Sequence, residues 1–313
     1  MADQSKKQDK NIELLIIGGG AAGLTAGIYG ARAKLETLII EDELVGGQIR
    51  DAYAIENYPG FSSVGGVELA ERMQRQSLEA GAVIDDLDAV VSVKLSAAEK
   101  IVETNKYRYH AKALIIAAGS KRRQLPIAEE EKFRGNGIHY CELCDGRFYE
   151  GKHIAVVGGG SAAVGAVQHL SNYAAKITLI HRSEKLRADQ KSQQALMENE
   201  KVEILWNSEI KEALGNERLS GVIVENRLDG TRRQIELDGI FVYIGSVART
   251  GIYKDYLTLD AEGNLVAGED CKTDVEGVFV AGDVRSKRIR QLTTAVSDGT
   301  IAALMAEEYI RQR

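Results

Sequence analysis

One pattern constrains this chain more than any other, because it occurs twice. Glu13-Leu-Leu-Ile-Ile-Gly-Gly-Gly-Ala-Ala-Gly23 and His153-Ile-Ala-Val-Val-Gly-Gly-Gly-Ser-Ala-Ala163 share one order: an apolar run, a glycine cluster, then a helix-like stretch. Neither run alternates polar with apolar residues, so each reads as a strand buried on both faces of a parallel sheet. Two such units predict an α/β protein with two Rossmann-like, three-layer dinucleotide-binding domains.

The flanking sequence keeps the βαβ alternation. Residues 24–34, 67–81 and 164–174 read as helices, and 36–41, 112–118 and 176–181 as strands. Late in the chain, 277–283 reads as a strand entering a turn and 291–312 as a closing helix. No low-complexity linker separates the halves, so one domain is expected to be inserted in the other. The predicted division is 1–118 and 249–313 for the first domain and 119–248 for the second. With 313 residues, two domains fit the usual domain size. The 32 glycines against 2 prolines suit many tight strand–helix turns.

Charge and hydropathy narrow the function. The net charge of −6 argues against a nucleic-acid partner, whose phosphates attract basic surfaces. No apolar stretch reaches the ~20 residues needed to span a bilayer. The polar start, MADQSKKQDK, lacks the apolar centre of a signal peptide and reads as a short solvated tail. A cytoplasmic protein is expected, with no membrane partner.

In the first unit, Gly18-x-Gly20-x-x-Gly23 follows a strand and opens a helix. The first glycine permits the turn, the second lets a pyrophosphate approach the backbone, and the third lets helix and strand pack closely. Ala21 and Ala22 lie between the second and third glycines, where the loop opens the helix, and the N–H groups of a helix N-terminus suit phosphate. Glu41 ends the next strand near the spacing of about 20 residues at which an acid meets a ribose. A bare glycine-rich turn is the alternative, and strand, helix and acid together weigh against it. Glu41 could be a surface acid beside Asp42 and Glu43, but its place at the strand end favours the ribose role.

The second signal is Cys141-Glu-Leu-Cys144, followed by Asp145. Two intervening residues let both sulfurs meet across one helical turn, so a small disulfide can open and close. A helix N-terminus or a cation would lower one thiol pKa and favour attack on another disulfide. Asp145 could relay a proton to or from a departing thiolate. Zinc is the competing use of such a pair, but it needs four ligands. Cys271 stands alone in another segment and no histidines pair at zinc spacing, so no metal site is expected. Cys271 reads as an inert loop or core residue, and His139 as local packing or a hydrogen bond.

Taken in order, these motifs resemble the low-molecular-weight thioredoxin reductases, two-domain FAD-dependent members of the pyridine nucleotide–disulfide oxidoreductases, from about residue 12 to the C-terminus. Gly18–Gly23 is similar to the FAD pyrophosphate loop. Gly46-Gly47-Gln48 and Glu56-Asn57-Tyr58-Pro59-Gly60 resemble the early flavin-contacting segments, and Ala117-Ala118-Gly119-Ser120 the crossover. Cys141–Gly146 resembles the redox motif, Gly282-Asp283 the pair whose acid binds the ribityl chain, and Arg290-Gln291-Leu292 a stretch near the flavin. The resemblance implies that a donor reduces FAD, which passes two electrons to Cys141–Cys144. Cys144 would face the flavin, Cys141 would attack a thioredoxin-like protein, and Asp145 would serve as acid. It also implies a homodimer and rotation of one domain against the other.

The resemblance is weakest where the donor binds. Gly158, Gly160, Ser161 and Ala162 keep the core of a nucleotide loop, but the polar residues and two glutamates usual after it are absent. His181-Arg182-Ser183-Glu184-Lys185-Leu186-Arg187 keeps Arg182 and Arg187 of the 2′-phosphate motif and has Ser183 for an arginine. Gly245-Ser246-Val247-Ala248 replaces Gly-His-x-Pro. No acid at the strand end would repel a 2′-phosphate, and two guanidinium groups suit one. NADPH is the favoured donor. A ferredoxin-like donor is the alternative, as in relatives that have lost nucleotide use, and a solvated helix start is the bland reading of 182–187. A ferredoxin–NADP reductase would generally lack the redox pair. Peroxiredoxin-reducing flavoproteins commonly carry an extra thioredoxin-like domain. A non-catalytic flavin redox sensor would show no turnover.

Overall fold

The computed structural model describes residues 7–52 and 55–313, the side chains of Asp51 and Ser246 excepted. The chain forms two compact units, one of Met1–Tyr53, Tyr58–Lys121 and Val247–Arg313, the other of Ala54–Asn57 and Arg122–Ser246. The second is therefore inserted in the first.

The first unit begins with β1 (Gln8–Ile17), α1 (Ala21–Arg32), β2 (Thr37–Ile40), α2 (Gly66–Ala80), β3 (Val83–Asp85), β4 (Val90–Leu95), β5 (Lys100–Thr104) and β6 (Tyr107–Ile116), and β7 (Ser120–Arg122) leads out of it. Its sheet runs β3-β2-β1-β6-β5-β4. Leu14–Ile17 pair in parallel with Thr37–Ile40 and Ala113–Ile116, and all these apolar side chains are buried. The absence of alternation in the sequence thus has its cause: both sheet faces are covered. Leu15, Ile17, Leu38, Leu114 and Ile116 pack with Tyr253, Leu257 and Leu265 on one side. On the other, α1 lies close because a Cβ at Gly30 would press on Leu14 and Thr37.

Two expectations change here. A tail solvated throughout is not what the structure has. Met1–Lys6 lie outside the described residues, but Gln8–Lys10 already belong to β1, opposite Tyr107–Tyr109. Lys10 Nζ sits 3.2 Å from the Tyr107 ring centroid, so aromatic faces hold this polar end of the strand. The strand expected at 112–118 starts at Tyr107, because its polar first half pairs with the β5 hairpin.

The second unit comprises α3 (Glu130–Phe133), β8 (Ile138–His139), α4 (Glu142–Asp145), β9 (His153–Gly158), α5 (Ser161–Leu170), β10 (Lys176–Ile180), α6 (Gln190–Met197), β11 (Val202–Leu205), β12 (Ser208–Gly215), β13 (Leu219–Asn226), β14 (Arg232–Glu236) and β15 (Gly239–Tyr243). Its parallel sheet runs β11-β10-β9-β15-β8, and β12-β13-β14 form an antiparallel sheet. Ile154, Val156, Ile177, Leu179 and Phe241 face α5, while Ala155, Val157, Ile180, Ile240 and Val242 face the antiparallel layer. After β16 (Ser246–Ala248) the chain completes the first unit with β17 (Val278–Val280), beside β6, and α7 (Leu292–Arg311). No helix among the described residues is long and apolar enough to cross a membrane.

Candidate active site

In the first unit the glycine loop joins β1 to α1. A Cβ on Gly18 would strike the Ala117 carbonyl and one on Gly23 would strike the Gly18 carbonyl, whereas the same atom on Gly20 would meet nothing within 4 Å. The outer glycines therefore serve close packing, and the middle one faces open space. Ala21 and Ala22 are buried in the first turn of α1, against α7: a Cβ at Gly299 would fall on the Ala22 carbonyl. Glu41, buried just past β2, accepts hydrogen bonds from Gly19 N (2.7 Å) and Glu43 N (3.0 Å). Burial, then Asp42, pushes its carboxyl up to about 6.

Other sequence-selected residues of this unit gather round the same loop. Gly47 approaches Gly20, its virtual Cβ 3.3 Å from the Gly20 Cα. Gln48 Nε2 donates to the Ser120 carbonyl at 2.7 Å, beside Gly119, whose Cβ position is open. Gly282 packs on Ala22 and precedes Asp283, whose carbonyl accepts from Arg290 Nε at 3.3 Å. Gln291 caps α7, which begins at Leu292. Asn57 falls with the short segment that packs in the second unit.

Sequence reasoning missed a buried charge cluster here. Asp298, in the second turn of α7, accepts from Gly282 N (3.0 Å) and pairs with Arg285 (2.9 Å) and Lys287 (2.8 Å). Cys271 is buried beside it, and burial, then the Asp298 charge, pushes its thiol up to about 11, so it is inert near neutral pH.

The second glycine loop joins β9 to α5. The His181 ring lies against Gly159, leaving no room there for a side chain. The same ring meets the Lys185 carbonyl through Nε2 at 3.0 Å. Arg187 N donates to the Gly159 carbonyl at 2.7 Å, so the 181–187 loop is pinned to the glycines. The Arg187 guanidinium reaches over Gly160, 3.9 Å from its virtual Cβ. Arg182, Lys185 and Arg187 are exposed, and Ser161 and Ala162 are exposed in the first turn of α5. Among the described residues neither Arg182 nor Arg187 has an ion-pair partner for its side chain.

Cys141 and Cys144 are joined in a disulfide with Cα atoms 5.3 Å apart. Cys141 precedes α4, a single turn in which the Asp145 N–H donates to the Cys141 carbonyl at 3.0 Å. No lysine or arginine among the described residues is paired with this turn. Its neighbours are instead acids held by tyrosine and histidine. The Glu142 N–H donates to the Tyr243 hydroxyl at 2.9 Å, and that hydroxyl donates back to the Glu142 carboxylate. Burial, then the Glu142 charge, pushes the Tyr243 hydroxyl far up, so it stays a donor. Asp145 lies 3.4 Å from His139, which meets the Tyr149 hydroxyl. The sequence carries no local signal for these contacts, because the partners lie on different elements. No metal-holding group of His, Cys, Asp and Glu occurs among the described residues.

Comparison with known proteins agrees with this geometry. The pyridine nucleotide-disulphide oxidoreductase family model matches residues 12–299. The chain is 50% identical over 304 residues to a 34.2 kDa protein in the rubredoxin operon of Clostridium pasteurianum, covering 97% of this chain and 99% of that one. It is 40% identical over 305 residues to the thioredoxin reductase of Peptoclostridium acidaminophilum, covering 95% and 96%. The crystal structure of thioredoxin reductase from Streptococcus pyogenes superposes with a TM-score of 0.92 at 38% identity, covering 97% of this chain and 99% of that one.

Proposed function

Because the chain belongs to the pyridine nucleotide-disulphide oxidoreductase family, among its low-molecular-weight thioredoxin reductases, we propose that it reduces the disulfide of thioredoxin or a similar protein, with FAD as cofactor. The observation that carries this reading is the Cys141–Cys144 disulfide on a single helical turn of the inserted unit. The first unit fits FAD. Gly20 and Gly119 leave open backbone where phosphate and ribityl groups need close approach, and Glu41 is held at the strand end where a ribose is read. When bound, FAD supplies the two-electron chemistry that opens the disulfide.

Within this reading, Gly18, Gly20, Ala21, Ala22, Gly23 and Glu41 hold the adenosine and pyrophosphate part. Gly47, Gln48, Asn57, Gly119, Asp283, Arg290, Gln291 and Leu292 hold the remainder. Cys144 accepts the electrons, Cys141 attacks the partner protein, and Asp145 moves the proton. NADPH is the proposed donor, on Gly158, Gly160, Ser161, Ala162, Arg182 and Arg187. Two exposed guanidinium groups without an ion-pair partner among the described residues, beside a nucleotide-type loop with no strand-end acid, support it. A ferredoxin-like donor is the second reading. The altered residues at Ser161–Ala166, Ser183 and Gly245–Ala248 favour it.

The test is anaerobic titration of the flavin-loaded protein with NADPH, NADH and reduced ferredoxin, followed by thioredoxin reduction. Flavin bleaching by NADPH that is lost in R182A/R187A supports the nucleotide site. Bleaching by ferredoxin alone replaces that donor and leaves the disulfide chemistry standing. Reduced protein that leaves thioredoxin disulfide intact refutes the proposed activity.

A further inference from the structure

Asp145 leads to two polar side chains, His139 and Tyr149, that the proposed reaction leaves unused. His139, at the end of β8, is 8% exposed. Its Nδ1 lies 3.4 Å from Asp145 Oδ2, and its Nε2 lies 2.6 Å from the Tyr149 hydroxyl. Phe241 of β15 stacks on the ring, with centroids 5.4 Å apart and planes at 30°. The stack and the two nitrogen contacts thus hold the imidazole between Tyr149 and Asp145.

A neutral imidazole carries one N–H and one bare nitrogen. Burial, then the Asp145 charge, raises the Tyr149 hydroxyl pKa, so this phenol stays protonated and donates to Nε2. The tautomer that accepts from Tyr149 carries its N–H on Nδ1, facing Asp145. At 3.4 Å the contact is electrostatic rather than a short hydrogen bond. Other charged groups lie around it. Glu142, on the same turn, is held by Tyr243. The charges of Asp238 and Arg218 reach Tyr149, and His169 of α5 lies beside Gly146. His139 is the group that faces Asp145 directly.

We infer that His139 is a positioning residue for the redox pair: acting through Asp145, it offsets the carboxylate charge beside Cys144 and so keeps the Cys141–Cys144 thiols easier to ionise. An uncompensated carboxylate disfavours a neighbouring thiolate, and an N–H aimed at that carboxylate weakens the effect. The consequence lies in thiol–disulfide exchange, and it rests on the disulfide reductase reading. The Cys141 thiolate attacks a sulfur of the partner disulfide, forming a Cys141–partner bond and expelling the second partner sulfur as thiolate. That thiolate takes the Cys144 proton by way of Asp145. The Cys144 thiolate then attacks Cys141, re-forming the Cys141–Cys144 bond and releasing the first partner sulfur, which solvent protonates.

The measurement is the rate of iodoacetamide modification of the dithiol in chemically reduced, flavin-loaded protein, followed against pH by mass spectrometry. His139→Gln is expected to move the midpoint upward and to slow modification at neutral pH by about threefold or more. Tyr149→Phe is expected to move it the same way by less, since it frees Nε2 without removing the ring. In an Asp145→Asn background neither change is expected to move it further, an outcome that a merely structural role does not give. An unchanged midpoint in His139→Gln, with flavin bound and the disulfide able to form, overturns the inference. If His139→Gln does not fold, the Tyr149→Phe and Asp145→Asn pair decides alone: no shift, or an equal shift in both backgrounds, overturns it. Failure of the disulfide reductase reading shows separately, as reduced wild-type protein that thioredoxin disulfide does not reoxidise.

Discussion

Substituting Asp298 by asparagine removes one negative charge and almost no volume from the first unit. The wild-type carboxylate is 4% exposed and holds Gly282 N, Arg285 and Lys287. Deleting one partner of a buried ion pair costs about 3–5 kcal/mol, because the remaining charge is left uncompensated. Arg285 keeps the Gly268 carbonyl at 2.7 Å, so part of its donor capacity stays satisfied. Lys287 keeps Thr294 Oγ1, at a longer 3.4 Å. The loss should therefore fall near the lower end, about 3 kcal/mol, which is roughly a hundredfold in the unfolding equilibrium.

The assay is urea unfolding of the Asp298→Asn protein followed by two probes. The single tryptophan, Trp206, lies in the second unit and reports on that unit by fluorescence. Circular dichroism reports on both. The dichroism transition should move to lower urea while the Trp206 transition moves less. Adding Lys287→Met should restore part of the loss, since it removes the cation left without a counter-charge. A loss under about 1 kcal/mol, or no recovery in the double variant, would refute the reasoning from buried charge.

Gly299→Ala should destabilise the first unit by more than about 2 kcal/mol in the same assay. Helix propensity alone favours alanine by about 1 kcal/mol, so stabilisation would show that α1 and α7 are not in close contact. Glu41 has its carboxyl raised from the ordinary 4.5 to about 6, first by burial. The folded protein then binds this proton more tightly than the unfolded chain, so stability is expected to fall as pH rises through that window. Glu41→Gln should flatten the slope in urea midpoints of flavin-free protein measured across it, and an unaltered slope would place the cause elsewhere. Cys141→Ser and Cys144→Ser should each abolish disulfide reduction while the flavin spectrum persists. Full turnover in either variant would end the role assigned to the pair.

Local chemistry makes much of this protein legible in its sequence. The β1–α1 and β9–α5 units announce themselves because a parallel strand must be apolar on both faces and a tight turn beneath a helix must be glycine. The Cys141–Cys144 spacing can be read in the same way, since three residues set the distance between two sulfurs. The antiparallel β12-β13-β14 layer carries no such mark. Its strands mix exposed with buried positions, and the face they cover is set by Ala155, Val157 and Ile240 elsewhere in the chain.

The contacts that buried polar groups make between different elements were settled only by the folded chain. His139 and Asp145, Glu142 and Tyr243, and Asp298 with Gly282 and Lys287 are ordinary residues when read singly. Burial removes the water that would otherwise satisfy them, and each must then find its partner on whichever element packs nearby. Periodicity and turns are legible in the sequence, because they depend on near neighbours. The pairing of buried polar groups depends on which distant segments share a core, and that is settled only when the chain has folded.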